Sequence, residues 1–314
     1  MTEHNNKNVS SAISVSNLYK KFGRKTVLNG LSFSAPENAI TGFLGPNGAG
    51  KTTTMRILLG LIPFSKGEIK MLNYPIPSCR EKALEDTGAV VENPTFIENM
   101  TAFENLDWFG SLYKPVSKER IYEVIELVGL KEAAHQYFGV FSSGMKQRLG
   151  VAFGILHKPK LLILDEPTSG MDPSGRFHIR EILMKIHETQ NTSIFLSSHL
   201  MDEVQRMCDY VVIIDNGKTV REGYVAELLD KSVERYEIRV DDTKFAQARS
   251  ILSEMSELVS DLSLVPRGLQ FNVIAGKSDL INKKLVENDI AVHALIPQEA
   301  SLEETFIKLT EKEA

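Results

Sequence analysis

The stretch GPNGAGKT, residues 45–52, matches the pattern G-x-x-x-x-G-K-[S/T] in full. Its three glycines let the backbone N–H groups of the loop curl around a phosphate, since no Cβ stands in the way. An apolar run over residues 40–44 indicates a buried strand before the loop, and a helical pattern over residues 52–61 follows it. A phosphate loop requires this order of strand, loop and helix. The stretch therefore predicts a P-loop nucleotide-binding core.

The side chains of the loop predict individual phosphate contacts. Lys51 should reach the β- and γ-phosphates, the Thr52 hydroxyl should ligate Mg²⁺, and Thr53 should contact the α-phosphate. The phosphate-binding set predicted here is Gly45, Asn47, Gly48, Gly50, Lys51, Thr52 and Thr53. The sequence carries no NKxD motif to bind guanine, because NKK at residues 282–284 lacks the aspartate.

Downstream, LLILDE at residues 161–166 is an apolar strand that ends in two carboxylates. Asp165 should hold the Mg²⁺ shell through water, and Glu166 should act as a general base or orient the attacking water. An exposed acidic pair at a strand end is the alternative. The complete phosphate loop upstream favours the catalytic interpretation.

The stretch FSSGMKQRLG, residues 141–150, indicates a second phosphate-facing element. Ser142 offers a hydroxyl and a backbone N–H at a helix start, where an anion is stabilised. Gly144 permits close approach of the backbone. Ser142 could also serve as the ordinary N-cap of that helix.

Four elements in this order resemble the ATP-binding cassette (ABC) transporter ATPases: the phosphate loop, FSSGM, LDEPTSGMD and His199. The resemblance covers residues 13–229, and the family signature LSGGQ is matched at Ser142 and Gly144 but not at positions 141, 143 and 145. It implies a P-loop NTPase fold with a helical insertion and hydrolysis of ATP to ADP and phosphate. It also implies a head-to-tail dimer, in which Ser142 and Gly144 contact the nucleotide of a second copy.

The same resemblance assigns three further residues. His199 follows the predicted strand SIFLSS and corresponds to the switch histidine of the γ-phosphate, although a lone histidine is more often structural. Asp172 corresponds to the residue that links the two active sites of the dimer. Phe22 corresponds to the aromatic residue that stacks on adenine, with Tyr19 as the alternative. The expected catalytic set is Glu166, His199 and Lys51.

The main departure from the family lies at Glu92, where most members carry glutamine. A glutamate is a stronger oxygen ligand and has no amide donor, so the expected metal ligands are Thr52, Glu92 and Asp165. Glu92 and the surrounding VVENPTFIENMTAFENL resemble the bacitracin-resistance and lantibiotic-immunity exporters. Our hypothesis is that Glu92 couples the ATP site to a membrane subunit, and a neutral substitution is the alternative.

Composition indicates an ordinary globular protein of 314 residues, with 42% hydrophobic and 25% charged residues. The net charge of −5 gives no reason to expect nucleic-acid binding. No apolar run reaches the roughly 18 residues of a membrane span, and the polar residues 1–11 predict a flexible tail and no secretory signal. Cys79 and Cys208 form no CxxC pair, so we expect reduced thiols in a cytoplasmic protein.

Three parts are predicted along the chain: a tail over residues 1–11, an ATPase domain over residues 12–230 and an accessory domain over residues 231–314. The strands predicted in the ATPase domain span residues 40–44, 89–92, 161–165, 193–197 and 211–214. Such apolar runs are typical of a sheet covered on both faces, and helical periods over residues 93–150 predict a helical insertion.

The accessory domain follows the order β-α-β-β-α-β, which predicts a small ferredoxin-like α+β fold, with a last helix over residues 302–309. It could be a regulatory sensor or could stabilise the dimer or the cassette. In the insertion, the apolar residues could pack together or line a socket for a helix of the membrane subunit. They are Phe96, Phe103, Leu106, Trp108 and Phe109.

The sequence thus predicts the ATP-hydrolysing subunit of an ABC exporter for a peptide antibiotic or lantibiotic, with ATP and Mg²⁺ as cofactors. Its expected partners are a second copy of itself and a separate transmembrane permease, which would hold it at the cytoplasmic face of the membrane. The alternative is a soluble ABC-type ATPase of translation or DNA repair. Those proteins usually carry two cassettes or a long coiled coil, whereas this chain has one cassette and no sustained heptads.

Overall fold

A computed structural model describes residues 10–92, 94–112, 116–229, 233–266, 268–298 and 302. The chain divides into two compact units, Met1–Val225 and Ala226–Ala314. Residues 1–9 of the expected tail lie outside the described residues, and so do residues 303–309 of the expected last helix. None of the described helices has both the length and the apolar character of a membrane span.

Up to residue 229 the described chain alternates strands and helices. The strands are β1 (Ser11–Phe22), β2 (Lys25–Pro36), β3 (Ile40–Leu44), β4 (Lys66–Met71), β5 (Tyr74–Ile76), β6 (Thr87–Val90), β7 (Leu161–Leu164), β8 (Ser193–Ser198), β9 (Tyr210–Asp215) and β10 (Lys218–Tyr224). The helices are α1 (Lys51–Leu58), α2 (Arg80–Glu85), α3 (Ala102–Gly110), α4 (Lys118–Leu127), α5 (Ser143–Gly154), α6 (Pro173–Gln190), α7 (Met201–Met207) and α8 (Val225–Leu228).

The central sheet has the strand order β10-β9-β3-β8-β7-β6, in which only the edge strand β10 is antiparallel to its neighbour. All five residues of β3 and all four of β7 are buried, as expected of a sheet covered on both faces. The five predicted strands are therefore confirmed, and their ends differ from the predicted ones by at most two residues. Because parallel strands end at the same edge, this edge gathers the loops that follow β3, β6, β7 and β8.

A second, antiparallel sheet of order β2-β1-β4-β5 was not predicted. It shares a buried core with α1 and with the central sheet. At its centre the rings of Phe33, Phe43 and Phe195, from β2, β3 and β8, lie with centroids 5.1–5.7 Å apart. This packing holds β3, the strand of the central sheet that leads into the phosphate loop, against the antiparallel sheet.

Helices α3, α4 and α5 form the expected insertion between β6 and β7. Helix α3 begins with a capping box, in which Thr101 Oγ1 accepts the N–H of Glu104 and the Glu104 carboxylate accepts the N–H of Thr101. Arg120 of α4 is buried and donates to the carbonyl oxygens of Ile155 and Leu156, after α5. The insertion is thus held by apolar packing and by a buried cation at the end of α5.

The second unit contains β11 (Val233–Val240), α9 (Phe245–Glu254), β12 (Val259–Val265), β13 (Gly268–Ile274), α10 (Ser278–Glu287) and β14 (Val292–Gln298). Its sheet has the antiparallel order β12-β13-β11-β14. The helices share one buried core with the sheet, around Phe271. This is the ferredoxin-like arrangement that the element order predicted.

Candidate nucleotide-binding site

The phosphate loop joins β3 to α1 with a backbone geometry that depends on its glycines. Gly48 and Gly50 have φ of 87° and 111°, in the region where a side chain is strained. At Gly45 a Cβ would collide with the carbonyl oxygen of Ile214 in β9. Gly50 is the N-cap of α1 and gives it no side-chain cap, so the first N–H groups of the helix remain for an anion.

Lys51 is buried at the start of α1, with 6% of its surface exposed. Its Nζ donates to the carbonyl oxygen of Gly45 at 2.7 Å and to that of Pro46 at 3.3 Å. The same nitrogen lies 3.3 Å from Oε1 of Glu166. All these partners are oxygen acceptors, so phosphate oxygens can replace them around the cation.

Asp165 and Glu166 follow β7 and are both held by Ser197 of β8. The buried Ser197 hydroxyl donates to Oδ1 of Asp165 at 2.6 Å and accepts the backbone N–H of Glu166 at 2.8 Å. Ser197 was not predicted as a site residue. Its position two residues before His199, directly after the apolar residues 194–196 of the strand, is the signal that could have indicated it.

His199 lies directly after β8, beside the carboxylate of Glu166. Its Nδ1 is 2.7 Å from Oε2 of Glu166. Lys51, Glu166 and His199 therefore form a continuous row in which a carboxylate stands between a cation and an imidazole. Such a row can orient a water molecule and place hydrogen-bond donors near a phosphate.

These side chains line one cavity of about 430 Å³. Its lining residues are Lys25, Val27, Asn47, Gly48, Gly50, Lys51, Thr52, Thr53, Glu166, Ser169 and His199. The loop residues from position 47 onward that were expected to bind phosphate are thus brought together with Glu166 and His199. Gly45 and Asp165 are not among the described residues that line this cavity.

Three residues of the cavity were not predicted from the sequence: Lys25, Val27 and Ser169. The first two belong to β2, in the antiparallel sheet that was not predicted, and Lys25 adds a cation to the cavity. Ser169 lies within LDEPTSGMD, so the motif contained it, but no role was given to its hydroxyl.

Phe22 is 48% exposed and is paired with the cavity residue Lys25 in the β1–β2 register. Lys20 Nζ lies 4.7 Å from the centre of its ring. The hydroxyl of Tyr19 instead lies 2.9 Å from where a Cβ on Gly30 would be, and Lys66 lies over the Tyr19 ring. Neither aromatic ring is among the described residues that line the cavity. Phe22 adjoins the cavity through Lys25.

The expected metal ligands fall into two groups. Thr52 lines the cavity, and Asp165 is buried beside it with one carboxylate oxygen bonded to Ser197. A hydroxyl and a carboxylate are hard oxygen donors, so this pair fits Mg²⁺. Glu92 instead contacts the guanidinium of Arg56 on α1. The described residues contain no cluster of three His, Cys, Asp or Glu side chains suited to a metal.

The described residues that line the cavity do not include Ser142, Gly144 or Asp172. Ser142 is the N-cap of α5 and accepts the N–H of Met145 at 3.3 Å. Asp172 is the N-cap of α6 and accepts the N–H of Gly175 at 3.2 Å. A Cβ at Gly144 would meet no atom within 4 Å, so the start of α5 is open to an approaching group.

Residues 28–169 match the family model described as ABC transporter. The ABC transporter ATP-binding protein YdbJ of Bacillus subtilis, itself uncharacterised, is 37% identical over 296 residues, which are 94% of this chain and 94% of YdbJ.

Two relatives carry more specific names. The bacitracin transport ATP-binding protein BcrA of Bacillus licheniformis is 37% identical and spans 96% of this chain and 98% of its own length. The linearmycin resistance ATP-binding protein LnrL of Bacillus subtilis is 35% identical over 94% of this chain and 96% of LnrL. The solved structure of cbiO1 from Clostridium perfringens, part of the transporter complex cbiONQ, gives a TM-score of 0.64 at 23% identity. It covers 79% of this chain and 98% of its own. That likeness supports the fold.

Proposed function

The chain belongs to the ABC transporter family of ATP-binding proteins, and from that premise we propose that it powers the export of a peptide antibiotic or lantibiotic. Members of the family hydrolyse ATP to drive transport and pair with a transmembrane permease, so the chain is an ATPase subunit of a transporter. The near full-length likeness to proteins named as transporter ATP-binding subunits favours this function over a soluble ATPase of translation or DNA repair. Export of an antibiotic is supported by the near full-length likeness to proteins named for bacitracin transport and linearmycin resistance.

The row of Lys51, Glu166 and His199 in one cavity is the observation that carries the ATPase role. We propose that Lys51 leaves the loop carbonyls to hold the β- and γ-phosphates. Glu166 orients the water that attacks the γ-phosphate, and His199 donates to a γ-phosphate oxygen. Catalysis then rests on position and on neutralised charge, since the protein forms no covalent bond to the phosphate.

We propose that Mg²⁺ would be held by the Thr52 hydroxyl, which lines the cavity, and by the carboxylate of Asp165, the residue before Glu166. A bound Mg²⁺ would neutralise the charge of the β- and γ-phosphates. Ser197 keeps the Asp165 carboxylate in place by its hydrogen bond of 2.6 Å. Glu92 has its charge balanced by Arg56, which favours a role for Glu92 in coupling over a role as a permanent metal ligand.

The signature residues support a head-to-tail dimer. Ser142, Gly144 and Asp172 all lie at the N-terminal ends of helices, where an anion is stabilised. Ser142 and Asp172 are exposed, and the space beside Gly144 is open. These residues would face the nucleotide held by the phosphate loop of a second copy.

The permease is proposed to dock on the helical insertion, which would hold the chain at the cytoplasmic face of the membrane. Most apolar residues of the insertion are used in packing: the ring of Phe96 contacts those of Phe109 and Phe153 at 5.6–6.1 Å. Trp108, in contrast, is 47% exposed. A helix of the permease could cover this ring.

A second exposed apolar group lies just before Ser142. The N–H of Gly139 donates to the carbonyl oxygen of Glu98, so the segment that carries Ile97 is joined to the segment that carries Tyr137 and Val140. These three side chains are 37%, 59% and 74% exposed. Tyr137 and Val140 lie within five residues of Ser142 in the sequence, so a permease contact there could be transmitted to Ser142.

The test is to purify the chain with its permease from the membranes of its host and to measure ATP hydrolysis against a panel that includes bacitracin and a lantibiotic. We expect at least one peptide antibiotic to raise the rate severalfold. Glu166→Gln should bind ATP and abolish the stimulated rate. Purification with ribosomes and without a membrane protein would overturn the proposal, and so would an unchanged rate across the whole panel.

A further inference from the structure

Glu203 is a buried carboxylate on α7 that the proposed hydrolysis does not use. The residue is 7% exposed. The next residue, Val204, is fully buried and occupies the space where a Cβ on Gly42 of β3 would lie. Helix α7 is therefore packed tightly on the central strand, and Glu203 is held in a fixed position. A carboxylate in such a place requires polar partners.

Two partners from other segments meet this carboxylate. The Thr168 hydroxyl, also buried, donates to Oε2 of Glu203 at 2.6 Å. Nη1 of Arg176 lies 3.2 Å from Oε1 of Glu203. One oxygen of Glu203 is therefore bound by a hydroxyl and the other faces a cation.

One partner belongs to the loop between β7 and α6, and the other belongs to α6 itself. Thr168 stands two residues after Glu166, and Arg176 lies in the first turn of α6, four residues after its N-cap Asp172. The backbone N–H of Arg176 donates to the carbonyl oxygen of Asp172 at 3.1 Å. A displacement of Arg176 is thus passed directly to the end of the helix that carries Asp172.

Glu203 itself stands four residues after His199, on the helix that follows the histidine. It therefore joins the stretch that carries His199 to the stretch that carries Glu166 and Asp172. We propose that Glu203 is a positioning residue for ATP hydrolysis, which holds these two stretches in register through Thr168 and Arg176. This inference rests on the proposed function, since it gives His199, Glu166 and Asp172 their roles.

A purely structural role would require only that the carboxylate be satisfied. The register role requires in addition that each contact set the geometry of hydrolysis while the phosphate loop continues to bind ATP. The two roles predict different effects of a variant on kcat and KM, because the partners described for Glu203 are Thr168 and Arg176 and not the residues of the phosphate loop. Loss of one contact should lower kcat and leave KM and nucleotide affinity unchanged.

The test uses Thr168→Val and Arg176→Met, which remove one partner each and keep similar volumes. We expect each to lower kcat roughly tenfold or more, as for a lost hydrogen bond or ion pair to a charged group. KM and the affinity for a fluorescent ADP analogue should stay within about twofold. Thr168→Ser and Arg176→Lys should restore most of the rate, because they keep the hydroxyl and the charge.

Arg180→Met is the matched control. Arg180 lies one turn further along α6 and stacks over the ring of Phe177 at 5.0 Å. This variant should hydrolyse ATP at the rate of the unchanged protein. Glu203→Gln provides a second check: it keeps an acceptor for Thr168 but loses the charge that faces Arg176. Adding Arg176→Met to it should therefore change kcat little.

The inference is overturned if Thr168→Val and Arg176→Met lower the melting temperature but leave kcat of the folded protein unchanged. A rise in KM at constant kcat would also overturn it, and so would a loss in Arg180→Met equal to that in Arg176→Met. Failure of the proposed function is seen separately, because Glu166→Gln would then retain turnover whatever the Glu203 series shows.

Discussion

Replacement of Ser197 by alanine tests how the acidic pair is positioned. One buried hydroxyl serves both residues: it donates to Oδ1 of Asp165 at 2.6 Å and accepts the N–H of Glu166 at 2.8 Å. Alanine removes both bonds and leaves the partly buried N–H of Glu166 without its acceptor. Because β8 is central and Ser197 is fully buried, the surrounding strands hold the backbone in place when the hydroxyl is lost.

The size of the effect follows from these two bonds. A hydrogen bond to a charged group contributes about 1.5–3 kcal/mol, and an unsatisfied buried N–H costs about 1–3 kcal/mol. One hydroxyl makes both bonds and the terms are not additive, so we expect a loss of about 2–4 kcal/mol in the free energy of unfolding. Misplacement of a catalytic group by about 1 Å can lower a rate about 100-fold, so kcat should fall about 10- to 100-fold. KM should change little, because the phosphate loop is not touched.

Ser198→Ala is the control, since Ser198 is equally buried and accepts the N–H of Leu200 at 3.0 Å. It should lose about 1 kcal/mol of stability and keep its kcat. The measurements are urea unfolding and steady-state ATP hydrolysis, with the rate expressed per folded molecule. The reasoning is refuted if Ser197→Ala hydrolyses ATP at the unaltered rate, or if Ser198→Ala slows hydrolysis to the same extent.

Two further predictions concern charged side chains. Burial raises the pKa of Glu222 above its ordinary value of 4.5, so the folded state favours the protonated form, and this contribution to stability is lost as the pH rises through the folded pKa. Glu222→Gln keeps an acceptor for the N–H of Ser34 and should raise the melting temperature near pH 7 but not below the ordinary pKa; a gain of equal size at both pH values would contradict this. Glu92→Gln removes the charge that faces Arg56 and should alter resistance in cells more than basal ATP hydrolysis in vitro, and an equal change in both assays would argue against a coupling role.

The parallel strands could be predicted because each is a short apolar run, buried on both faces. The antiparallel sheet could not, because β1 does not keep a period of two. Its register shifts between Val15 and Leu18, and Asn17 within that interval has φ of 48°. Such a bulge moves later side chains to the opposite face, so the alternation that identifies a strand is broken.

The same failure explains what was missed in the site. The loop residues and Glu166 could be predicted because each motif is continuous in sequence and its chemistry is local. Lys25 and Val27 come to the cavity from β2, so they could only be found by pairing β1 with β2 across their turn. Ser197 was missed for another reason: a serine in a buried strand is compatible with simple packing, and only the distances to Asp165 and Glu166 reveal its role.

The contacts of Lys51 affect how variants of this site must be interpreted. Its ammonium already has three oxygen partners within the chain, so phosphate binding exchanges partners around the cation and adds few new ones. Lys51 therefore adds less to the affinity for ATP than a lysine whose ammonium had no partners in the protein. A variant without the ammonium would also leave Glu166 facing the loop without its cation and shift the carboxylate that His199 contacts. Lower activity in such a variant would combine lost phosphate binding with a displaced Glu166, and only nucleotide affinity measured apart from kcat separates the two.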